Sequence, residues 1–192
     1  FAVGLDSAGR VEWQRAVARL DRDTRAQAAI MAHRWGWHDR AILTASRAGY
    51  WSDLTLRFPL PHRKSIFAYA DQYDLDPALI YGVIRQESAF MEDARSPVGA
   101  LGLMQLMPQT ADSLGVRNPF DPRANVFGGA KLLRKHLNEF GSLKSTLIAY
   151  NAGPDYVRGN RRIPGETRRY LRKVIAYYRY YEKEGFGHVH TN

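Results

Sequence analysis

Apolar residues along this chain recur every three or four positions and almost never every second one, which predicts helices throughout and no sheet. In the first fifty residues the pattern comes in short pieces. Asp6 or Ser7 suits the N-cap of a helix carrying Val11, Trp13, Val17 and Leu20; a second helix follows Asp23 to about Trp35, and a third covers 39–48 with Gly49 as its C-cap. Ala26, Ala28, Ala29, Ala32, Ala41, Ala45 and Ala48 allow close helix contacts, as in stacked hairpins. A few such helices cannot bury their faces alone, so the segment reads as the last turn of a longer helical array. Pro59 and Pro61 then break the pattern within 50–63, force an extended path, and mark a junction between residues 1–60 and 61–192.

The pattern resumes with a helix over 65–73 and then the stretch DPALIYGVIRQESAF, 76–90. Asp76 is a good N-cap and Pro77 suits the first helical position. Ile80, Val83, Ile84 and Glu87 fall on one face at i, i+3, i+4, i+7, which turns a carboxylate toward the core. Burial without a cation disfavours the charged form, so such a group keeps its proton near neutral pH, as a general acid must. The alternative is a helix ending by Ser88, with Glu87 at a solvated edge. The following EDARSPVGALGLMQLMP is rich in Val, Leu and Met yet punctuated by Gly99, Gly102 and Pro108. An apolar loop of this kind is expected to fold over a cleft, with at most a short hairpin in 101–107.

Further helices are predicted from Asp121 and Pro122 to Gly141, carrying Val126, Ala130, Leu133, Leu137 and Phe140, and from a cap at Ser142 to about Tyr150. After the turn NAGP comes a polar, basic loop to Gly165. A last helix bears Tyr170, Leu171, Val174, Tyr177, Tyr178 and Tyr181 on one stripe. The predicted fold class is therefore all-α, with at most a minimal β-hairpin.

Composition narrows the field. The 192 residues are 45% hydrophobic and 24% charged, values of a soluble globular protein, and no apolar run reaches membrane-spanning length. The start, FAVGLDSAGR, lacks Met and a basic-then-apolar leader, and reads as a fragment of something longer. With no Cys, disulfides and thiolate metal sites are excluded. Lys and Arg number 28 against 19 acidic residues, a net charge of +9, which favours a polyanionic partner: nucleic acid, an anionic membrane surface or an acidic cell-wall polymer. Part of the excess crowds into 158–173, where a merely solvated cationic face is the plainer reading.

Three sites beside the Glu87 helix use residue types that packing alone does not demand. Gln105 within GLMQLMP could orient a neutral polar ligand or satisfy the loop's own backbone. Tyr150 and Asn151 end a helix, where Asn also serves as a cap. Glu166 starts the last helix, where the helix dipole favours a carboxylate.

Together RQESAF, SPVGALGLMQLMP, AYNAGP and ETRRYL, spanning about 80–181, resemble the soluble lytic transglycosylases, peptidoglycan-cleaving relatives of goose-type lysozyme. HRWGWHDRAI and LRFPLP resemble the end of the superhelical domain that precedes the catalytic domain in large periplasmic members. The resemblance implies a lysozyme-like catalytic domain at 61–192, a periplasmic or cell-envelope location, peptidoglycan glycan strands as substrate, envelope proteins as candidate partners, and no nucleic acid, metal or organic cofactor. It implies that Glu87 is the catalytic acid and base and that Ser96 lies close to the reacting sugar. Gln105 and Met107 would line the glycan groove, Tyr150 and Asn151 would position the saccharide, and Glu166 and Tyr170 would belong to the active-site wall. The 154–166 loop is shorter here than in the large members, so contacts made by their longer loop do not carry over.

Glycosidases usually pair two carboxyl groups, about 5 Å apart for retention and up to about 9.5 Å for inversion. Glu92 and Asp93 lie past the helix end in a solvated stretch, and Glu166 is explained by its helix start. Substrate assistance is the exception to the rule, and peptidoglycan supplies a 2-acetamido group for it. The expected reaction is cleavage between N-acetylmuramic acid and N-acetylglucosamine by Glu87 with acetamido help, leaving a 1,6-anhydromuramyl end. The competing readings are a hydrolytic muramidase or chitinase on the same fold, and a non-catalytic helical module that binds nucleic acid or a protein through its basic face.

Overall fold

The computed structural model describes residues 6–185, and the chain divides into two units, Phe1–Pro59 and Leu60–Asn192. The side chains at the expected cap, Asp6 and Ser7, lie outside the described residues.

Unit one holds α1 (Asp6–Ala18), α2 (Arg22–Arg34), α3 (His38–Ala48) and the short α4 (Leu54–Arg57). Its core is built on small side chains: Ala29, Ala32, Ala41 and Ala45 are fully buried between α2 and α3, with Leu56 beneath them and Trp13, Ile30 and Trp37 packed around. Asp21, not Asp23, caps α2, because its carboxylate accepts from the Asp23 and Thr24 amides at 3.0 and 2.9 Å. That moves the helix start to Arg22. Gly49 ends α3 in the left-handed conformation at φ 62°, as its position predicts. Asp53 caps α4 through the Leu56 amide, so the 50–63 stretch contains a helical turn where an unbroken extended path was expected.

Unit two comprises α5 (Arg63–Gln72), α6 (Pro77–Glu87), α7 (Pro108–Leu114), α8 (Pro122–Phe140), α9 (Leu143–Ala152), α10 (Pro154–Arg158) and α11 (Gly165–Tyr180), which runs into a π-helical turn, Tyr181–Gly185. Asp76 caps α6 by accepting the Ala78 amide at 2.8 Å. The helix is buried on every side from Ala78 to Ile84, so it is the central element of the unit and not the one-faced helix its stripe suggested. Gly82 is where α11 crosses it: a Cβ at that position would stand 3.0 Å from the Tyr178 nitrogen and 3.2 Å from its Cα. This close approach sets the spacing of the two helices. Tyr81 stacks on the buried Tyr181 at 5.0 Å, tying the end of α11 to the same helix.

Two short helices begin at prolines. Pro108 and Pro154 each occupy the first position of a helix, α7 and α10, where the missing N–H has no partner to lose. The sequence predicts instead a loop or short turns ending at Pro108, and a turn followed by a loop at Pro154. The 88–107 segment has no regular strand; its only ladder contacts are isolated antiparallel bridges, Arg95 with Leu101 and Leu101 with Leu106. The described residues are all-α, as predicted.

Candidate active site

Glu87 is the last residue of α6 and half-buried, at the floor of a cavity of about 380 Å³. Gln86, Ser96, Gln105, Asn151, Glu166, Arg169, Tyr170 and Lys173 line the rest. A second cavity, of about 470 Å³, shares Gln86, Glu87, Ser96, Gln105 and Lys173 and continues past Arg85, Met91, Arg95 and Tyr177. The open space therefore runs across Glu87 on both sides. An extended polymer fits such a shape better than a compact ligand does.

The surroundings of Glu87 decide its chemistry. Burial pushes its pKa up to about 7, from an ordinary 4.5, while the nearby Tyr170 hydroxyl pulls slightly the other way. That hydroxyl is buried beside the carboxyl, with no other partner for its proton. No cation among the described residues forms an ion pair with Glu87. Arg169 and Lys173 sit on the cavity wall but do not reach it. The Tyr150 and Tyr170 phenols are held well above their usual pKa, first by burial and then by the charge of Glu87, so both stay protonated at neutral pH.

The loop over the cavity is held by hydrogen bonds to side chains as well as by its own turns. The Ser96 amide donates to the Ala100 carbonyl at 2.9 Å, and the Ser96 hydroxyl oxygen accepts the Ala100 amide at 2.9 Å. Gln105 has a left-handed backbone at φ 51°, and its amide nitrogen donates to the carbonyls of Gly102 and Ala94 at 2.8 and 3.3 Å. Of the two roles open to Gln105 from sequence, the nitrogen end serves the loop itself. The side chain still lines the cavity.

Six of the eight sequence candidates meet in this cavity: Glu87, Ser96, Gln105, Asn151, Glu166 and Tyr170. Tyr150 lines neither cavity, because its hydroxyl donates to the Met104 carbonyl at 2.8 Å. Met107 is exposed and begins α7 as its N-cap residue, outside both cavities. Asn151 is still helical, and Gly153 takes the C-cap position that was the alternative role for Asn151. By sequence, Arg169 and Lys173 belong to the basic run over 158–173, whose plainer reading is a solvated face. Their spacing from Glu166 and Tyr170 on one helix, 166–169–170–173, is the signal that places them on the same wall.

A further cavity, on another face of α11, is lined by Ile163, Leu171, Ile175, Ala176 and the basic Lys144, Arg168, Arg172 and Arg179. It has no carboxyl group and so no proton donor suited to bond cleavage. Among the described residues no three His, Cys, Asp or Glu side chains cluster as metal ligands, and no helix is long and apolar enough to cross a membrane.

A helical unit with one uncompensated carboxyl in an elongated cleft defines a class, and comparison with known proteins gives that class its family. Residues 64–172 match the model of the transglycosylase SLT domain, and residues 1–54 that of the soluble lytic murein transglycosylase L domain. The chain belongs to the transglycosylase SLT domain family. It is 33% identical, over 92% of its length, to the soluble lytic murein transglycosylase of Salmonella typhimurium, and 44% identical, over 58% of its length, to the transglycosylase of Enterobacteria phage PRD1. It covers 32% of the first relative and 41% of the second. Among solved structures it superposes on an inactive mutant of lytic transglycosylase Slt from Pseudomonas aeruginosa with a TM-score of 0.84 and 35% identity, over 94% of this chain and 33% of that one. The 70 kDa soluble lytic transglycosylase of Escherichia coli gives 0.83 and 32%, over 93% of this chain and 34% of that one. The lysozyme-like, all-α fold is that of these structures. The chain spans about a third of the length of these soluble relatives.

Proposed function

We propose that this chain is the peptidoglycan-cleaving part of a lytic murein transglycosylase acting in the cell envelope. The observation that carries the reading is Glu87, a carboxyl without a cation that burial holds near pKa 7 in an elongated cavity. In this reading Glu87 protonates the glycosidic oxygen between N-acetylmuramic acid and N-acetylglucosamine. The 2-acetamido oxygen of the sugar stabilises the anomeric centre as the bond breaks. Glu87, now a carboxylate, then removes the proton from the muramyl 6-hydroxyl, whose oxygen closes onto the anomeric carbon. The product is a 1,6-anhydromuramyl end, and no water is consumed. Ser96, Gln105 and Asn151 are suited to hold the sugars, and Tyr150 and Tyr170 to shape the space around the carboxyl. The segment before residue 61 serves as the end of a preceding superhelical domain.

A second reading rests on Glu166, which lines the same cavity and could act as the base of a hydrolytic muramidase. Two features weigh against it. Glu166 is exposed at the start of α11, and the raised pKa of Glu87 is caused by burial and not by a second carboxyl. Product masses from purified glycan strands separate the readings: anhydro ends support the transglycosylase, and hydrated reducing ends refute it.

A further inference from the structure

Asn125 lies on α8 among apolar neighbours, is fully buried, and is not one of the cavity-lining residues. A buried amide is costly unless its hydrogen bonds are made, and here two of them go to the loop over the cavity and the third to the connection between α7 and α8. Its Oδ1 accepts the Met104 amide at 2.7 Å, while its Nδ2 donates to the Leu101 and Pro119 carbonyls at 3.0 and 2.7 Å. Reversing the amide would set N–H against N–H and carbonyl against carbonyl, so the orientation follows from the partners. Aspartate lacks the two donors and alanine lacks all three bonds.

The other end of the same residue is held from a different helix, where the Tyr150 hydroxyl donates to the Met104 carbonyl at 2.8 Å. Met104 is thus gripped by α8 on its nitrogen and α9 on its oxygen. The next residue is Gln105, whose left-handed backbone is an arrangement that persists only where neighbours over-determine it. The face of α8 is shaped to receive this loop. A Cβ at Gly129 would collide with the Met104 thioether, one at Gly128 with Val116 and Leu106, and one at Gly102 with Asn125 and the Pro119 carbonyl.

We propose that Asn125 is a positioning residue of the Glu87 cavity: through the Met104 peptide it fixes Gln105, and with it the cavity wall facing the carboxyl. The proposal rests on the glycan-cleaving reading of that cavity. Small displacements of positioning groups lower turnover more than binding.

Three variants of this chain test it, compared well below their melting temperatures: Asn125→Ala, Asn125→Asp and Leu133→Ala. Leu133 is a buried residue on the same helix, about 12 Å further along, and controls for loss of core packing alone. Asn125→Ala is expected to lower kcat on glycan strands about tenfold or more, with KM changed less than about threefold, and to speed hydrogen exchange of the Met104 amide about a hundredfold beyond Leu133→Ala. Asn125→Asp should lower kcat while keeping Met104 exchange slow, because that acceptor remains. Should both Asn125 variants fail to accumulate as folded protein, Asn125→Ser, which is smaller and keeps a hydroxyl but loses the paired amide donors, takes their place and should lower kcat in the same sense; unchanged kcat there overturns the proposal. So does an Asn125→Ala variant whose kcat and Met104 exchange match those of Leu133→Ala. Exchange is read without substrate, so a wild-type chain that turns over no glycan would sink the functional reading while the exchange data still decided the clamp.

Discussion

Among the described residues, unit one buries Asp39 and unit two half-buries Glu87, and the two carboxyls are treated in opposite ways. Asp39 in unit one, 5% exposed, is held by the guanidinium nitrogens of Arg40 and Arg10 at 2.9 and 3.3 Å. Glu87 in unit two meets two tyrosines and no ion-pair partner, and its pKa rises to about 7. A paired carboxylate fixes geometry and gives up its proton chemistry. An unpaired one costs stability and keeps a proton that it can transfer.

The largest effect separating the two is on turnover. Glu87→Gln removes the proton donor while nearly preserving shape, and should reduce glycan cleavage by about a thousandfold or more, measured by chromatography and mass of released muropeptides. Asp39→Ala should leave the rate per folded molecule unchanged. Its cost falls on stability: Arg10 and Arg40 lose a buried counter-ion, so unit one should lose about 3 kcal/mol in denaturant melts.

The stability of Glu87 itself should depend on pH with a definite sign. Below pH 4.5 the carboxyl is protonated in both the folded and unfolded chain. As pH rises toward 7 the unfolded chain loses the proton first, so stability falls, and it levels off above the folded pKa. The full difference is up to about 3 kcal/mol. Glu87→Gln should therefore raise the melting temperature at pH 8 and leave it unchanged at pH 4.5. The smallest effect concerns the packing that encloses the carboxyl. Gly82→Ala sets a methyl group against the α11 backbone and should cost about 1–3 kcal/mol, with a downward shift of the Glu87 pKa as water enters.

The sequence was most legible where structure depends on adjacent residues. The caps at Asp76, Asp121 and Ser142, and the left-handed ends at Gly49 and Gly141, all stand where their local chemistry requires. Asp23 misled because Asp21, two residues earlier, has the same capping oxygen. Pro108 and Pro154 misled because proline both breaks a helix and begins one, and the residues that follow decide which. Around the cavity, Glu87 declared itself by its place on an apolar stripe. Asn125 did not, since its partners are Met104, Leu101 and Pro119, and an Asn in the first turn of a helix looks ordinary until the loop folds onto it. The exposure of Met107 and the bond from Tyr150 to Met104 are likewise outcomes of tertiary packing.

The central claim is that Glu87 titrates near neutral pH, where it can both hold and give up its proton. A carbon-13 titration of the glutamate side-chain carboxyls, with Glu87→Gln to assign the signal, tests it most directly. The account predicts one midpoint near pH 7 that vanishes in the variant; a Glu87 midpoint near 4.5 would contradict it.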